Sequence, residues 1–418
     1  MAKNIYLCLL LFALAACKTN EESLIQLIET QYANLTINHP GQKNTALNNL
    51  KTYFQTKSLS DDNLDEISAI LNQFKDGHIY ISGTKSLPKL ATSITFYPGA
   101  NYIKSCEACT PKIPTGKYEL VNVDGKKMDD WLNDNKYQVA ASTEQGRHFR
   151  ELRLLTFADK QIAKSITVKN HMGKLLESQL NWTAAQSNDE CVHGERLNDK
   201  TYLLLVKNFW CIKANVNLSR EATFERFKNL FDLAIKPITK DDHIILDLRE
   251  NGGGADLEVE YLLNAFLRQS TYLYTYQHLL INAESIWKRA LAHLPFSIHL
   301  WANKIKEFTH LENSPPDHFF DNKLTLLISA GCFSSCEVVA QALKYEKRAL
   351  LWGERTHGGA GDPNLFPISN TGFFINLPTC HIWQKDGSLF EGVGVAPDID
   401  YVSSFSLVGD DLLLNAQQ

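Results

Sequence analysis

From Glu22 to Phe74 apolar residues recur at helical spacing, as in LIQLIETQYANL and NLDEISAILNQF, which predicts a small helical region early in the chain. The period then changes. Lys75-Asp76-Gly77-His78 breaks the helical pattern, and Ile79-Tyr80-Ile81 alternates as a short strand. From about Leu87 to Trp182 short alternating runs are separated by turn residues. Tyr118 to Leu132, for example, reads as a strand, an Asp-Gly turn and a helix start. The polar stretch Asn181 to Glu195 reads as a boundary. Beyond it come an apolar run at Tyr202 to Phe209, a helix through Phe224 to Ile235, a strand at Ile244, a helix-rich segment from Leu257 to about Phe308 and a strand at Leu324, with Pro315-Pro316 as a loop before it. Strands alternating with helices predict an α/β domain with a parallel or mixed sheet.

Two strand ends carry the candidate chemistry. IILDLRENGGG (Ile244 to Gly254) is an apolar strand that breaks into glycines, which supply flexible backbone amides. LLISAGCFSSCEVVAQALK (Leu326 to Lys344) places Ser334 on a strand-to-helix corner, where the first amides of the new helix are unpaired and carry partial positive charge. Open α/β folds put reacting groups at such carboxyl strand ends. A serine attacking a carbonyl needs fixed donors for the oxyanion that it creates. Ser334 with Glu337 three residues on also fits a capping box, a structural motif that requires no catalysis. The glycine run lacks the lysine and hydroxyl of a P-loop and the spacing of a dinucleotide fold.

The totals narrow the classes. At 418 residues and 44% hydrophobic content the chain supports two or three domains. Its net charge of −5, with acids and bases mixed, gives no basic field for nucleic acid. The start of the chain holds Lys3, an apolar run from Ile5 to Leu14, and then Leu14-Ala15-Ala16-Cys17. That run is too short to span a bilayer, and small residues before a cysteine resemble the lipobox of a bacterial lipoprotein signal. Cys17 would then be the lipidated first residue, anchored by acyl chains worth roughly 0.8 kcal/mol per buried methylene. An exported protein held in the cell envelope by a lipid, with the outer membrane as its expected place, follows. Export permits disulfides. Cys106-Glu-Ala-Cys109 then reads as a local disulfide, since no second pair completes a zinc site, and Cys332 and Cys336 read as packing or disulfide residues.

Four segments in order resemble the S41 serine peptidases, the C-terminal-processing and tail-specific protease family with its tricorn and retinol-binding-protein-like branch. They are DGHIYI at Asp76, DLRENGGG at Asp247, the run from Phe333 to Gly359, and EGVGVAPDI at Glu391. The resemblance covers roughly residues 60 to 415. It implies a crotonase-like ββα superhelix for the catalytic domain and a PDZ-like character for the β-rich region. The expected organisation is a lipoprotein signal peptide over 1–16, a tether and helical region over 17–84, a β-rich PDZ-like domain over 85–182 and an S41-type catalytic domain over 196–418.

The chain departs from the Ser-Lys members of that family, whose general-base lysine sits in a Gly-Lys-Gly turn. Here the turn reads His357-Gly358-Gly359. Lys344 cannot substitute, because a rise of about 1.5 Å per residue puts it some 15 Å from Ser334. The tricorn-like branch uses a histidine from the amino-terminal segment and a glutamate before the GVxPD turn, and His78 and Glu391 stand at those places. The resemblance therefore implies Ser334 as nucleophile, His78 as base and Glu391 as the group that orients it, with His357 as the competing base. Gly252 or Gly253 and the amide of Ser335 would hold the oxyanion, while Asp247, Arg249 and Glu337 support the corner. That branch also has a serine directly before the histidine; Gly77 stands there, so its hydrogen bond does not carry over. Such a relay needs no metal or organic cofactor, and its partner is a peptide or protein substrate. An inactive relative that binds peptides or other ligands in the same cleft is the alternative, and ester or acyl-thioester hydrolysis is a third reading.

Overall fold

A computed structural model of the chain describes residues 19–37, 39–84, 90–185, 191–211, 218–268, 272–278, 307–310, 319–369, 371–384, 386–405 and 409–417. The signal segment, Cys17 and Pro315-Pro316 lie outside these residues, as does most of the stretch between His278 and Glu307.

The amphipathic stretch at the start forms helices α1 (Asn20–Gln31), α2 (Pro40–Tyr53) and α3 (Leu64–Leu71). Thr19 and Glu22 close a capping box at the first turn of α1, which satisfies otherwise unpaired amides. These helices do not close a core alone. Leu24, Ile28, Leu50, Ile67 and Leu71 share one cluster with Ile375 and Leu377 from late in the chain. Strand β1 (Tyr80–Ser82) pairs antiparallel with that late segment, Tyr80 opposite Asn376. The helical region and the residues just after it are thereby fixed to the opposite end of the sequence.

The middle region holds five antiparallel strands in the order Ile94–Phe96, Tyr102–Cys106, Tyr118–Val123, Ser165–Asn170 and Leu175–Gln179. Asp124 and Gly125 adopt positive φ angles of 50° and 76° after Tyr118–Val123, the turn that an Asp-Gly pair favours. Helices α4 (Met128–Asn135) and α5 (Glu144–Arg153) follow, and Trp131 and Leu152 pack against Leu120 and Val168. Cys106 and Cys109 are disulfide-bonded.

The main sheet runs β2 (Val192–Asn198), β3 (Thr201–Val206), β4 (His243–Asp247), β5 (Leu324–Ile328), β6 (Leu350–Gly353) and β7 (Ile399–Asp400) in spatial order. Every neighbour pair after β2 is parallel, with α6 (Arg220–Ile235), α7 (Asp256–Phe266) and α8 (Ser335–Tyr345) in the connections. This is the α/β class that the alternation predicts. All residues of β4 and β5 are buried, as expected of strands covered on both faces, and each large apolar side chain contributes about 2 kcal/mol. Cys191 is joined to Cys211 across the edge of this domain. The edge strand begins at Val192, inside the polar stretch taken as a boundary.

Between Leu257 and Phe308 the described residues hold α7 and then a strand, Tyr272–His278, paired with Glu307–His310 and Cys380–Trp383. Its sequence, YLYTYQH, alternates tyrosines with smaller residues, and aromatic residues favour a pleated, half-buried surface over a helix.

Candidate active site

Leu246 of β4 lies beside Leu326 of β5, so both strands end together and their loops meet at one edge of the sheet. Phe333 N–H donates to the Asn251 carbonyl at 3.0 Å, joining the serine corner to the glycine loop. Asn251 is fully buried; its Nδ2 donates to the Val206 carbonyl at 3.0 Å and its Oδ1 accepts from Gly253 N–H at 2.8 Å. The loop approaches so closely that a methyl group on Gly253 would sit 2.6 Å from the Phe333 carbonyl oxygen and 2.8 Å from Ser334 Cβ. Gly252 is exposed and has open space where a side chain would stand.

Ser334 itself adopts φ 59°, ψ −126°, a conformation rare for a residue with a side chain. Such strain costs of order 1–3 kcal/mol and persists only where the surroundings impose it. Three features do. Glu337 in the first turn of α8 accepts the Ser334 N–H at 3.3 Å, the capping half of the motif seen in the sequence. Cys332 and Cys336 bracket the serine with a disulfide. The same Glu337 carboxylate takes Gly358 N–H and Gly359 N–H at 2.8 Å each and the Thr356 hydroxyl at 2.5 Å, lacing the corner to the turn where the family lysine is missing. Burial pushes this carboxyl up to about 7 despite those four donors.

Opposite the corner stands His78. Its Nε2 lies 3.1 Å from Ser334 Oγ, across 256 positions of sequence. The imidazole is buried and rests on the Phe333 ring at 4.3 Å between centroids. Its carbonyl accepts Asn376 Nδ2 at 2.8 Å, so the pairing of β1 also sets the histidine. Burial lowers the imidazole to about 4, offset in part by the negative charge of Asp76 and reinforced by Arg150. A neutral ring with Nε2 toward the hydroxyl can accept its proton.

His78, Asp76 and Glu391 are gathered in one buried cluster, with a ligand-type atom of each within 4.8 Å of the others. Asp76 accepts the Tyr32 hydroxyl at 3.0 Å, Asn34 Nδ2 at 2.9 Å and His78 N–H at 3.0 Å. Glu391 accepts Ala360 N–H at 3.0 Å. Burial and the neighbouring Asp76 charge hold its carboxyl well above the usual range, against the opposing pull of the Ser142 hydroxyl and Lys43. Among the described residues this is the one group that could offer a metal three such ligands.

The remaining predicted residues fall elsewhere. His357 does not face the serine: its Nδ1 lies 3.2 Å from the Ala330 carbonyl and its Nε2 accepts Ser142 N–H at 3.5 Å, so both ring nitrogens are engaged. Arg249 donates to both oxygens of Asp247 and both of Asp410, a buried bracket under the glycine loop. Lys344 pairs with Asp398 at 3.1 Å and donates to the Ala396 carbonyl. Sequence reasoning missed Asn251, Asp410, Phe333, Arg150, Lys43 and Ser142. Asp76 was noticed only as part of DGH, although a carboxylate two residues before a candidate base was a usable clue.

These features define an α/β protein with a serine and a histidine facing each other at the carboxyl edge of its sheet. Residues 219–401 match the profile of peptidase family S41. A carboxy-terminal-processing protease of Bartonella bacilliformis is 29% identical over 79 residues, 19% of this chain and 18% of that protein. A protein of Staphylococcus epidermidis described as a "Probable CtpA-like serine protease" is 26% identical over 157 residues, 38% of this chain and 27% of that one. The chain thus spans well under two thirds of these curated relatives. Among solved structures, mature CPAF complexed with lactacystin superposes with a TM-score of 0.67 at 16% identity, covering 96% of each chain, and mature CPAF alone gives 0.64 at 17%. The segment 219–401 is thus similar to peptidase family S41.

Proposed function

We propose that this protein is a serine peptidase that hydrolyses peptide bonds through Ser334, His78 and Glu391. The observation that carries the reading is the 3.1 Å approach of His78 Nε2 to the hydroxyl of a serine held in strained backbone geometry. The imidazole takes the serine proton as Oγ attacks the carbonyl and returns it to the leaving amine. Glu391, buried in the same cluster as the ring, orients it. For the oxyanion the free donors are the amides of Gly252 and Ser335; Gly253 N–H is already given to Asn251 and serves the loop instead. Each such donor is worth about 3 kcal/mol in comparable sites. Asp247 and Arg249, with Asp410, keep the glycine loop in register and take no part in proton transfer. The lost family lysine is compatible with activity, because a different base already meets the serine.

We further propose that the enzyme works in the cell envelope on peptide or protein substrates, attached through a lipid on Cys17. The deciding experiment is reaction of the purified protein with a fluorophosphonate probe. Ser334 should be labelled in wild type and unlabelled in S334A, with labelling strongly reduced in H78A. A folded wild-type protein that binds peptides but never labels would support the inactive, ligand-binding reading instead.

A further inference from the structure

Residue 77 cannot carry a side chain in this fold. A methyl group there would lie 2.8 Å from Phe333 Cε2 and 3.2 Å from His357 Nε2. Yet a hydroxyl does reach this point, from another part of the molecule. Ser142 is buried in the turn before α5, and its Oγ accepts the Gly77 N–H at 2.9 Å. Its own N–H donates to His357 Nε2 at 3.5 Å. One residue therefore joins the peptide that carries His78 to the turn at His357.

The turn bearing Ser142 is itself held in place. The Thr143 hydroxyl donates to the His357 carbonyl at 2.6 Å, and a methyl group on Gly146 would meet the His357 ring at 2.5 Å. Arg150, on the same helix, donates to the Gly77 carbonyl at 3.0 Å and lays its guanidinium 4.4 Å from the centre of the Phe333 ring. Both the N–H and the C=O of Gly77 are thus fixed by α5, which belongs to the β-rich middle region and not to the main sheet.

We propose that Ser142 is a positioning residue for the proton relay, holding Gly77 and with it the DGH turn so that the middle region completes the active site. The inference rests on the serine-peptidase reading. The groups facing Glu391 in this cluster are Asp76, Lys43 and the Ser142 hydroxyl, and those facing His78 are Asp76 and Arg150. Loss of the hydroxyl frees the DGH turn.

The test compares S142A, S142T and S142C with wild type. S142A should lower kcat by about 10- to 100-fold with KM within about twofold, and S142T, which keeps the hydroxyl, should recover most of the loss. S142A turning over at the wild-type rate, or changing KM alone, overturns the proposal. If S142A fails to fold, folded S142C, close in size but a weak acceptor, replaces it: a wild-type rate there overturns the proposal equally. Hydrogen exchange of the Gly77 and His78 amides, measured on S334A with and without S142A, needs no turnover. Exchange should accelerate about tenfold or more at these amides, and unchanged protection there overturns the proposal. A wild-type protein that never labels with the fluorophosphonate defeats the peptidase reading, whereas the exchange result still decides the role of Ser142.

Discussion

Replacing Asp76 with asparagine should cost the enzyme far more than replacing Glu391 with glutamine, although both carboxyls flank the same imidazole. Asp76 receives three hydrogen bonds, from Tyr32, Asn34 and the His78 amide. Glu391 is buried beside that charge, and burial together with the Asp76 charge holds its carboxyl well above the usual carboxylate range. As Ser334 attacks, His78 becomes cationic. The charge that meets it is then that of Asp76, within 4.8 Å. At an effective dielectric constant of about 20, two unit charges at that separation attract by about 3.5 kcal/mol, which corresponds to a rate factor of a few hundred. D76N removes this charge. E391Q keeps a side chain of the same size that can still accept from Ala360 N–H and leaves the Asp76 charge in place, so it should cost less than about tenfold.

The assay is the rate of Ser334 acylation across pH, with thermal melts confirming that each variant is folded. A control, Y32F, deletes one hydrogen bond to Asp76 and keeps the charge; it should stay within about fivefold of wild type. The pH profile supplies an independent sign. The Asp76 charge raises the His78 imidazole, so D76N should lower it further and move the acid limb of the rate to lower pH, beneath a reduced plateau. If E391Q loses as much as D76N, or the acid limb moves upward, the division of labour between the two carboxyls is wrong.

Gly253→Ala should abolish labelling and destabilise the fold by about 1–3 kcal/mol, because φ is +91° and the new methyl meets the Phe333 carbonyl; Gly252→Ala, with open space around it, should melt like wild type. His78 has an imidazole lowered from 6.5 to about 4, so the folded state binds its proton less tightly than the unfolded chain does. Its contribution is complete above pH 6.5 and is lost as pH falls toward 4, by at most about 3 kcal/mol. In the S334A background, adding H78N should flatten the urea-melt stability curve in that window, and an unchanged slope would refute the assignment. For the anchor, wild type expressed in a bacterium should incorporate an alkynyl fatty acid and sediment with membranes, and C17A should do neither.

What could be read in the sequence was what is local in the chain. A strand ending in glycines and a strand ending in a serine corner announce themselves within about twenty residues, since the break in hydrophobic pattern and the reacting group are neighbours. The order of four short segments then placed His78 and Glu391. The residues that were missed act over long separations and carry no motif. Lys43 lies on an amphipathic helix where a lysine normally faces water, yet it is fully buried and donates to the Asn34 and Ile37 carbonyls. Ser142 reads as one more polar residue before a helix, and its partners are 65 and 215 positions away. YLYTYQH was absorbed into a helical stretch because its alternation is short and its strand partners, at 307–310 and 380–383, are distant.

Two glycines beside the serine corner have a single steric origin at Phe333. Its ring lies between His78 at 4.3 Å and His357 at 4.6 Å, with Arg150 at 4.4 Å. That stack fills the space beside the serine corner. Gly77 and Gly359 are glycines because a side-chain carbon at either would collide with this ring. His357 occupies the turn where a base lysine would otherwise stand, and its two nitrogens are used in holding Ala330 and Ser142. A side chain at 77 or 359 and an aromatic residue at 333 therefore exclude one another by volume. In the proposed relay the proton acceptor comes from the amino-terminal segment and the hydroxyl that holds its turn from the middle region, so three separate parts of the chain meet at the serine corner.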